Sequence, residues 1–118
     1  MPYAQTNIQL YNQMRERGYK DDDLKRTRDA YELAMQVFTG HFRPNNKSFL
    51  AHLCGVASIL VAHQEKSDIV IAGLLHSIYS HGDFGNGKRG VDRVKRAKVK
   101  GVIGEAVEQL INNYRQSR

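Results

Sequence analysis

The stretch from Ser67 to Tyr79 constrains the fold more than any other part of the chain. It reads Ser-Asp-Ile-Val-Ile-Ala-Gly-Leu-Leu-His-Ser-Ile-Tyr. Ser67 can cap a helix that starts at Asp68 and runs to about Tyr79, and that helix is apolar nearly all round. A helix without a polar face has to be enclosed by other elements. Its longest apolar run, Ile69 to Leu75, is far too short to cross a bilayer. It is therefore expected to be the central helix of a globular core, with no membrane as partner.

The surrounding sequence supplies helices to enclose it. Thr6-Asn7-Ile8-Gln9 has capping-box spacing, followed by an apolar stripe of Ile8, Leu10, Tyr11 and Met14, and Gly18 is a natural stop. Asp21, Asp22 and Asp23 open a second helix at its positive end, with Leu24, Tyr31, Met35 and Phe38 on one face. Pro44-Asn45-Asn46 makes a turn. Ser48 then caps a third helix to about Gln64, facing inward through Phe49, Leu53, Val56 and Leu60. The loop Gly82–Gly87 is glycine-rich. Val91 to Lys100 reads as helical, and after Gly101 a last helix points Ile103, Val107, Leu110, Ile111 and Tyr114 inward. No run alternates with period two for long enough to argue a strand. The expectation is all-α: a compact, single-domain bundle of five to six helices over residues 1–118.

Charge is concentrated. Lys88, Arg89, Arg93, Lys95, Arg96, Lys98 and Lys100 are seven of the 18 cations, and Asp92 is the one acid of 12 in that stretch, so the remaining 11 cations and 11 acids cancel. A local basic helix of this kind can make non-specific polyanion contacts. The simpler reading, and the one preferred from sequence, is a solvated face, with Val91, Val94 and Ala97 turned inward. The single cysteine, Cys54, excludes an internal disulfide and suits a small core position. With no basic-then-apolar leader pattern at the N-terminus, the expected location is cytoplasmic.

Five histidines are present, His41, His52, His63, His76 and His81, and two of them stand out. His52 is beside the apolar stripe of the third helix, and His76 is near the end of the central one. An imidazole among apolar neighbours needs a partner, whether a metal, a carboxylate or a backbone carbonyl. Arg43 and Lys47 precede the His52 helix. Ser77 and Tyr79 place hydroxyls at the same end as His76, and the Gly82–Gly87 loop offers backbone amides, without the lysine-serine/threonine ending of a Walker loop.

Two segments carry a resemblance. Lys47-Ser48-Phe49-Leu50-Ala51-His52-Leu53-Cys54-Gly55-Val56-Ala57-Ser58-Ile59-Leu60 resembles the first histidine helix of the HD-domain superfamily, closest to its guanosine tetraphosphate hydrolase branch (RelA/SpoT-type). Ile71-Ala72-Gly73-Leu74-Leu75-His76-Ser77 resembles that branch's second histidine motif, and Gly101 to Glu108 resembles its segment after the catalytic loop. The pattern resembles even more closely an uncharacterised family of short bacterial HD-like domains that carry histidine-serine in place of histidine-aspartate. The resemblance implies an HD-like helical fold and a metal site with His52 and His76 as ligands, the metal activating water for attack on phosphorus. It implies, too, that an arginine near Arg43 helps to hold a nucleotide.

The sequence departs from that pattern at the acids. Ser77 stands in place of the first aspartate, Ser80 and His81 in place of a glutamate-aspartate pair, and the last aspartate of the family falls on a helix beyond Arg118. The expected reading is a degenerate metal site in a module that binds a small phosphorylated ligand, or regulates through one. Its pocket is lined by Arg43, Lys47, His52, His76, Ser77 and Tyr79, with no cofactor. The alternative is a divergent metal-dependent phosphohydrolase, holding a divalent ion such as Mn or Fe on His52, His76, His81 and Asp83. A third is an adaptor that binds polyanions through the basic helix.

Overall fold

The computed structural model describes Ala4, residues 6–38, 46–81 and 92–116. In chain order the helices are α1 (Asn7–Glu16), α2 (Asp21–Phe38), α3 (Asn46–Ala62), α4 (Ser67–Leu74), α5 (Ile78–His81), α6 (Arg93–Ile103) and α7 (Glu105–Gln116). No strand occurs among the described residues, so the fold is all-α. No described helix is long and apolar enough to cross a membrane.

The apolar fourth helix is enclosed, as its composition requires. α4 packs against α2, α3 and α7, and Val70, Ile71 and Leu74 are fully buried. α1 lies across α2 and α3, and α6 across α2 and α7. Local signals set several ends. The Thr6 hydroxyl accepts from the Gln9 amide at 3.2 Å and caps α1. Gly18 follows the C-cap Arg17 at φ +87°, a left-handed conformation suited to glycine. A buried polar hub ties α1 to α3. The Ser58 hydroxyl accepts from the Ala4 amide at 2.9 Å and donates to Gln13 Oε1 at 2.6 Å, while Gln13 Nε2 donates to the Ser58 carbonyl.

Several expected boundaries and faces are corrected. The stretch 68–79 is two helices, not one. α4 ends at Leu74, a turn follows over residues 75–77, and α5 begins at Ile78. At this break the His76 ring binds the Gly73 carbonyl, which in a continuing helix would accept from the Ser77 amide. Ser67 is not a cap. It is the first helical residue, after an N-cap Lys66 that makes no side-chain cap bond, and its hydroxyl accepts from Arg26 beside the 2.6 Å Arg26–Asp68 ion pair. Ile8 is 61% exposed and Met35 is exposed, because α1 buries Leu10 and Met14, and α2 buries the smaller Thr27, Ala30, Ala34 and Val37 with Leu33.

The basic helix differs most. Asp92 caps α6 through the Lys95 amide at 2.8 Å and sets where the helix begins. Lys95, Val99 and Ile103, four residues apart, form the buried face, whereas Val94 is 78% exposed and Ala97 is exposed. Val91 lies outside the described residues. The break before the last helix falls at Gly104, with φ +90°, and Gly101 lies inside α6.

Arg96 is the second departure from a solvated face. Its Nε and Nη2 donate to the two carboxylate oxygens of Glu108 at 2.8 and 2.9 Å, and the Tyr79 hydroxyl donates to the same carboxylate at 2.7 Å. Glu108 is 0% exposed. Burial alone pushes its carboxyl pKa up. The hydrogen bonds from Arg96 and Tyr79 outweigh that and hold it below the usual glutamate value. One carboxylate thus joins α5, α6 and α7.

Two outcomes are expected. An added Cβ at Gly73 would collide with Leu60 and touch Val56 of α3, so Gly73→Val should force α3 and α4 apart and destabilise the fold by about 1–3 kcal/mol in urea unfolding; an unchanged midpoint would contradict the close crossing. The Glu108 contribution is fully present above the unfolded carboxyl pKa of about 4.3 and is lost as pH falls through the depressed folded value. Thermal melts from pH 7 to pH 3 should therefore show a steeper acid decline in the wild type than in Glu108→Gln. Parallel curves would contradict the assignment.

Candidate functional site

Helices α3 and α4 cross closely because Gly73 carries no side chain against Leu60 and Val56. Val56 lies one turn beyond His52 on α3, and His76 follows Gly73 by three residues at the end of α4. The crossing therefore brings the two imidazoles together. Their centroids are 6.0 Å apart, with the rings edge to face at 65°. His52 is exposed and His76 half-buried. The pair sits at the surface end of the crossing and not deep in the core.

Hydrogen bonding fixes the tautomer of His76. Its Nδ1 lies 2.7 Å from the Gly73 carbonyl oxygen. That oxygen can only accept, so Nδ1 carries the proton, and the lone pair of the neutral ring is on Nε2. Backbone anchoring of one ring nitrogen in this way orients the other. Ser77, next in the chain, is half-buried, and its Oγ is buried without a hydrogen-bond partner among the described residues. A buried hydroxyl left in this state costs about 1–3 kcal/mol. It is a group for which a bound molecule would supply the missing partner.

The other expected site residues separate. The Tyr79 ring is buried and its hydroxyl is bound to Glu108, so Tyr79 anchors α7 and does not line an open pocket. Arg43 and Asp83 lie outside the described residues, as do the side chains of Lys47 and His81. Cys54 is fully buried, a core residue as its size suggested, and burial pushes its thiol up to about 11. At neutral pH it is neither a thiolate ligand nor a nucleophile.

Of the four expected metal ligands, only His52 and His76 have described side chains. Among the described residues, no group of three or more histidine, cysteine, aspartate or glutamate side chains is placed to hold an ion. Two neutral imidazoles beside a serine hydroxyl supply no negative charge, whereas hard divalent ions take oxygen ligands that are largely carboxylates.

Among the described residues, two surface clefts lie elsewhere. One, of about 450 Å³, lies between the α1–α2 and α3–α4 turns, and its lining includes Arg17, Lys20, Asp23, Glu65, Lys66 and Asp68. Its charges balance. The other, of about 460 Å³, runs along α6 and is lined by Asp92, Arg93, Arg96, Ala97 and Lys100.

Sequence reasoning missed Glu108. The signal was present: Glu108 lies between Val107 and Ile111, both expected inward, so its direction on the helix is that of a buried residue. A carboxylate there calls for a cation on a facing helix, and Arg96 is that cation.

Comparison with known proteins adds a family. No curated protein and no solved structure matches the chain. Residues 34–117, which hold His52, His76, the α6 cleft and Glu108, match the family described as a domain of unknown function (DUF6817), and the chain belongs to that family.

Proposed function

We propose that the end of the α3–α4 crossing binds a small phosphorylated ligand, and that the domain works as a ligand-binding or regulatory module and not as a metal-dependent hydrolase. The observation that carries this reading is the pairing of His52 and His76, rings 6.0 Å apart, with the unsatisfied Ser77 hydroxyl next in the chain. The Ser77 hydroxyl can donate to a phosphate oxygen or accept from the ligand, and His76 Nε2, which carries the lone pair of the neutral ring, can accept from a ligand hydroxyl and donates to phosphate only as the imidazolium. The resemblance to HD domains supports a phosphorylated ligand at this position. The serine in place of an aspartate weighs against hydrolysis, because a water activated for attack needs a metal that this donor set does not favour.

Titration with guanosine 5′-diphosphate and with inorganic phosphate tests the reading, followed through the imidazole ¹H–¹³C resonances. Saturable shifts of His52 and His76 are expected, and His52→Ala/His76→Ala should weaken binding at least about tenfold, the equivalent of about 1.4 kcal/mol. Ser77→Ala should weaken it less. Binding that is indifferent to the double substitution would overturn the proposal. Manganese-dependent release of phosphate from the diphosphate, lost in the same variant, would establish the hydrolase instead.

A further inference from the structure

The cleft along α6 is separate in its residues from the histidine pair and has a different chemistry. Arg93, Arg96, Ala97 and Lys100 recur at spacings of three and four, so they share one flank of the helix, beside the buried face of Lys95, Val99 and Ile103. Three of the four are cations. Ala97, with a single methyl between them, leaves the floor of the cleft open.

The three cations are not equivalent. Arg96 is 31% exposed and is held by two bonds to the buried Glu108, with a third contact to Gln109 at 3.4 Å. Its Nε and Nη2 edge is occupied, and Nη1 makes no hydrogen bond to a described residue. A guanidinium fixed in this way is pre-organised, so less conformational freedom is lost when it binds. Arg93 and Lys100 flank it on either side. Neither side chain forms a hydrogen bond or ion pair with another described residue, although Lys100 adds to the positive field at Glu108. The rim acid, Asp92, is bound to the Lys95 amide as the helix cap. Glu108 thus compensates one cation, and Asp92, although a helix cap, still carries its negative charge at the rim, so Arg93, Arg96 and Lys100 against Asp92 and Glu108 leave the cleft net positive.

We infer that the α6 cleft is a second binding site, for the dianionic phosphate of a phosphomonoester, seated over Ala97 between Arg93 and Lys100 with Arg96 as its fixed donor. Arg93, Arg96 and Lys100 can reach the oxygens of one phosphate from three points, and a dianion is drawn to a net positive cleft more strongly than the singly charged phosphodiester or sulfate ester. A volume of about 460 Å³ suits a small molecule and not a macromolecular backbone. The site goes beyond the ligand proposed at His52 and His76 and stands whether or not that ligand binds. Glu108 and Tyr79 are positioning residues here, acting through Arg96.

The probe is phenyl phosphate at pH 7.5, with phenyl sulfate as the monoanionic analogue and heparin as the polyanion. Binding is followed by calorimetry and by backbone amide shifts of residues 92–100. Phenyl phosphate should bind saturably, shift the amides around Ala97 and exceed phenyl sulfate at least about tenfold. Arg93→Gln/Lys100→Gln, which removes no hydrogen bond or ion pair to a described residue, should lower affinity at least about tenfold with an unchanged helical circular dichroism spectrum. Arg96→Lys, which keeps the charge and loses the planar fork, should lower it as well. Binding equal for the two esters, or heparin binding with none of phenyl phosphate, would overturn the site in favour of a general basic surface. The His52→Ala/His76→Ala variant separates the two proposals: it should leave the shifts at residues 92–100 intact, and their loss in that variant alone would overturn the second site.

Discussion

A helix with no polar face cannot be left at a surface, and the architecture follows from enclosing one. α4 meets α2, α3 and α7 because Val70, Ile71 and Leu74 all require cover. Enclosure on the α3 side is close because Gly73 has no side chain. That closeness brings His52 and His76 to 6.0 Å. The site is thus a consequence of packing: the apolar run creates the crossing, and the histidines lie where the crossing meets the surface.

The second organising element is a buried charge. Glu108 would be costly in the core by itself, and it is accommodated because Arg96 reaches it with two nitrogens and Tyr79 with a hydroxyl. Paired charges of this kind are weak sources of net stability but demanding about geometry. Here the geometry orients α6: with Arg96 turned toward Glu108, Lys95 is buried and Val94 is left outside. The network runs from Tyr79 on α5 through this one carboxylate to the α6 cleft.

The sequence was most legible where one residue type decides the outcome. Apolar composition located α4 in the core, Thr6 and Gly18 bounded α1, and the paired histidine segments pointed to residues that the fold brings side by side. It was least legible where polar residues take core positions. On α6 the apolar residues Val91, Val94 and Ala97 suggest one inward face, yet the face that is buried is Lys95, Val99 and Ile103, set by the pairing of Arg96 with Glu108. On α2 the larger Leu24, Tyr31 and Met35 attracted attention, while the close packing uses Ala30, Ala34 and Thr27. The break after Leu74 had no proline or helix-ending glycine to announce it, because a side-chain bond from His76 to the Gly73 carbonyl occurs at that point. In each case the deciding partner is distant in sequence or smaller than its neighbours, and periodicity alone does not register it.

The central claim is that the α3–α4 crossing pairs His52 with a His76 ring anchored to the backbone. Nitrogen-resolved NMR of the imidazoles measures this directly, through the long-range ¹H–¹⁵N pattern that identifies the tautomer and through cross-ring nuclear Overhauser effects. The expected result is an Nδ1–H tautomer for neutral His76 together with cross-peaks between ring protons of His52 and His76. An Nε2–H tautomer for His76, with no cross-peak between the two rings, would contradict the pairing and remove the basis for a site at this position.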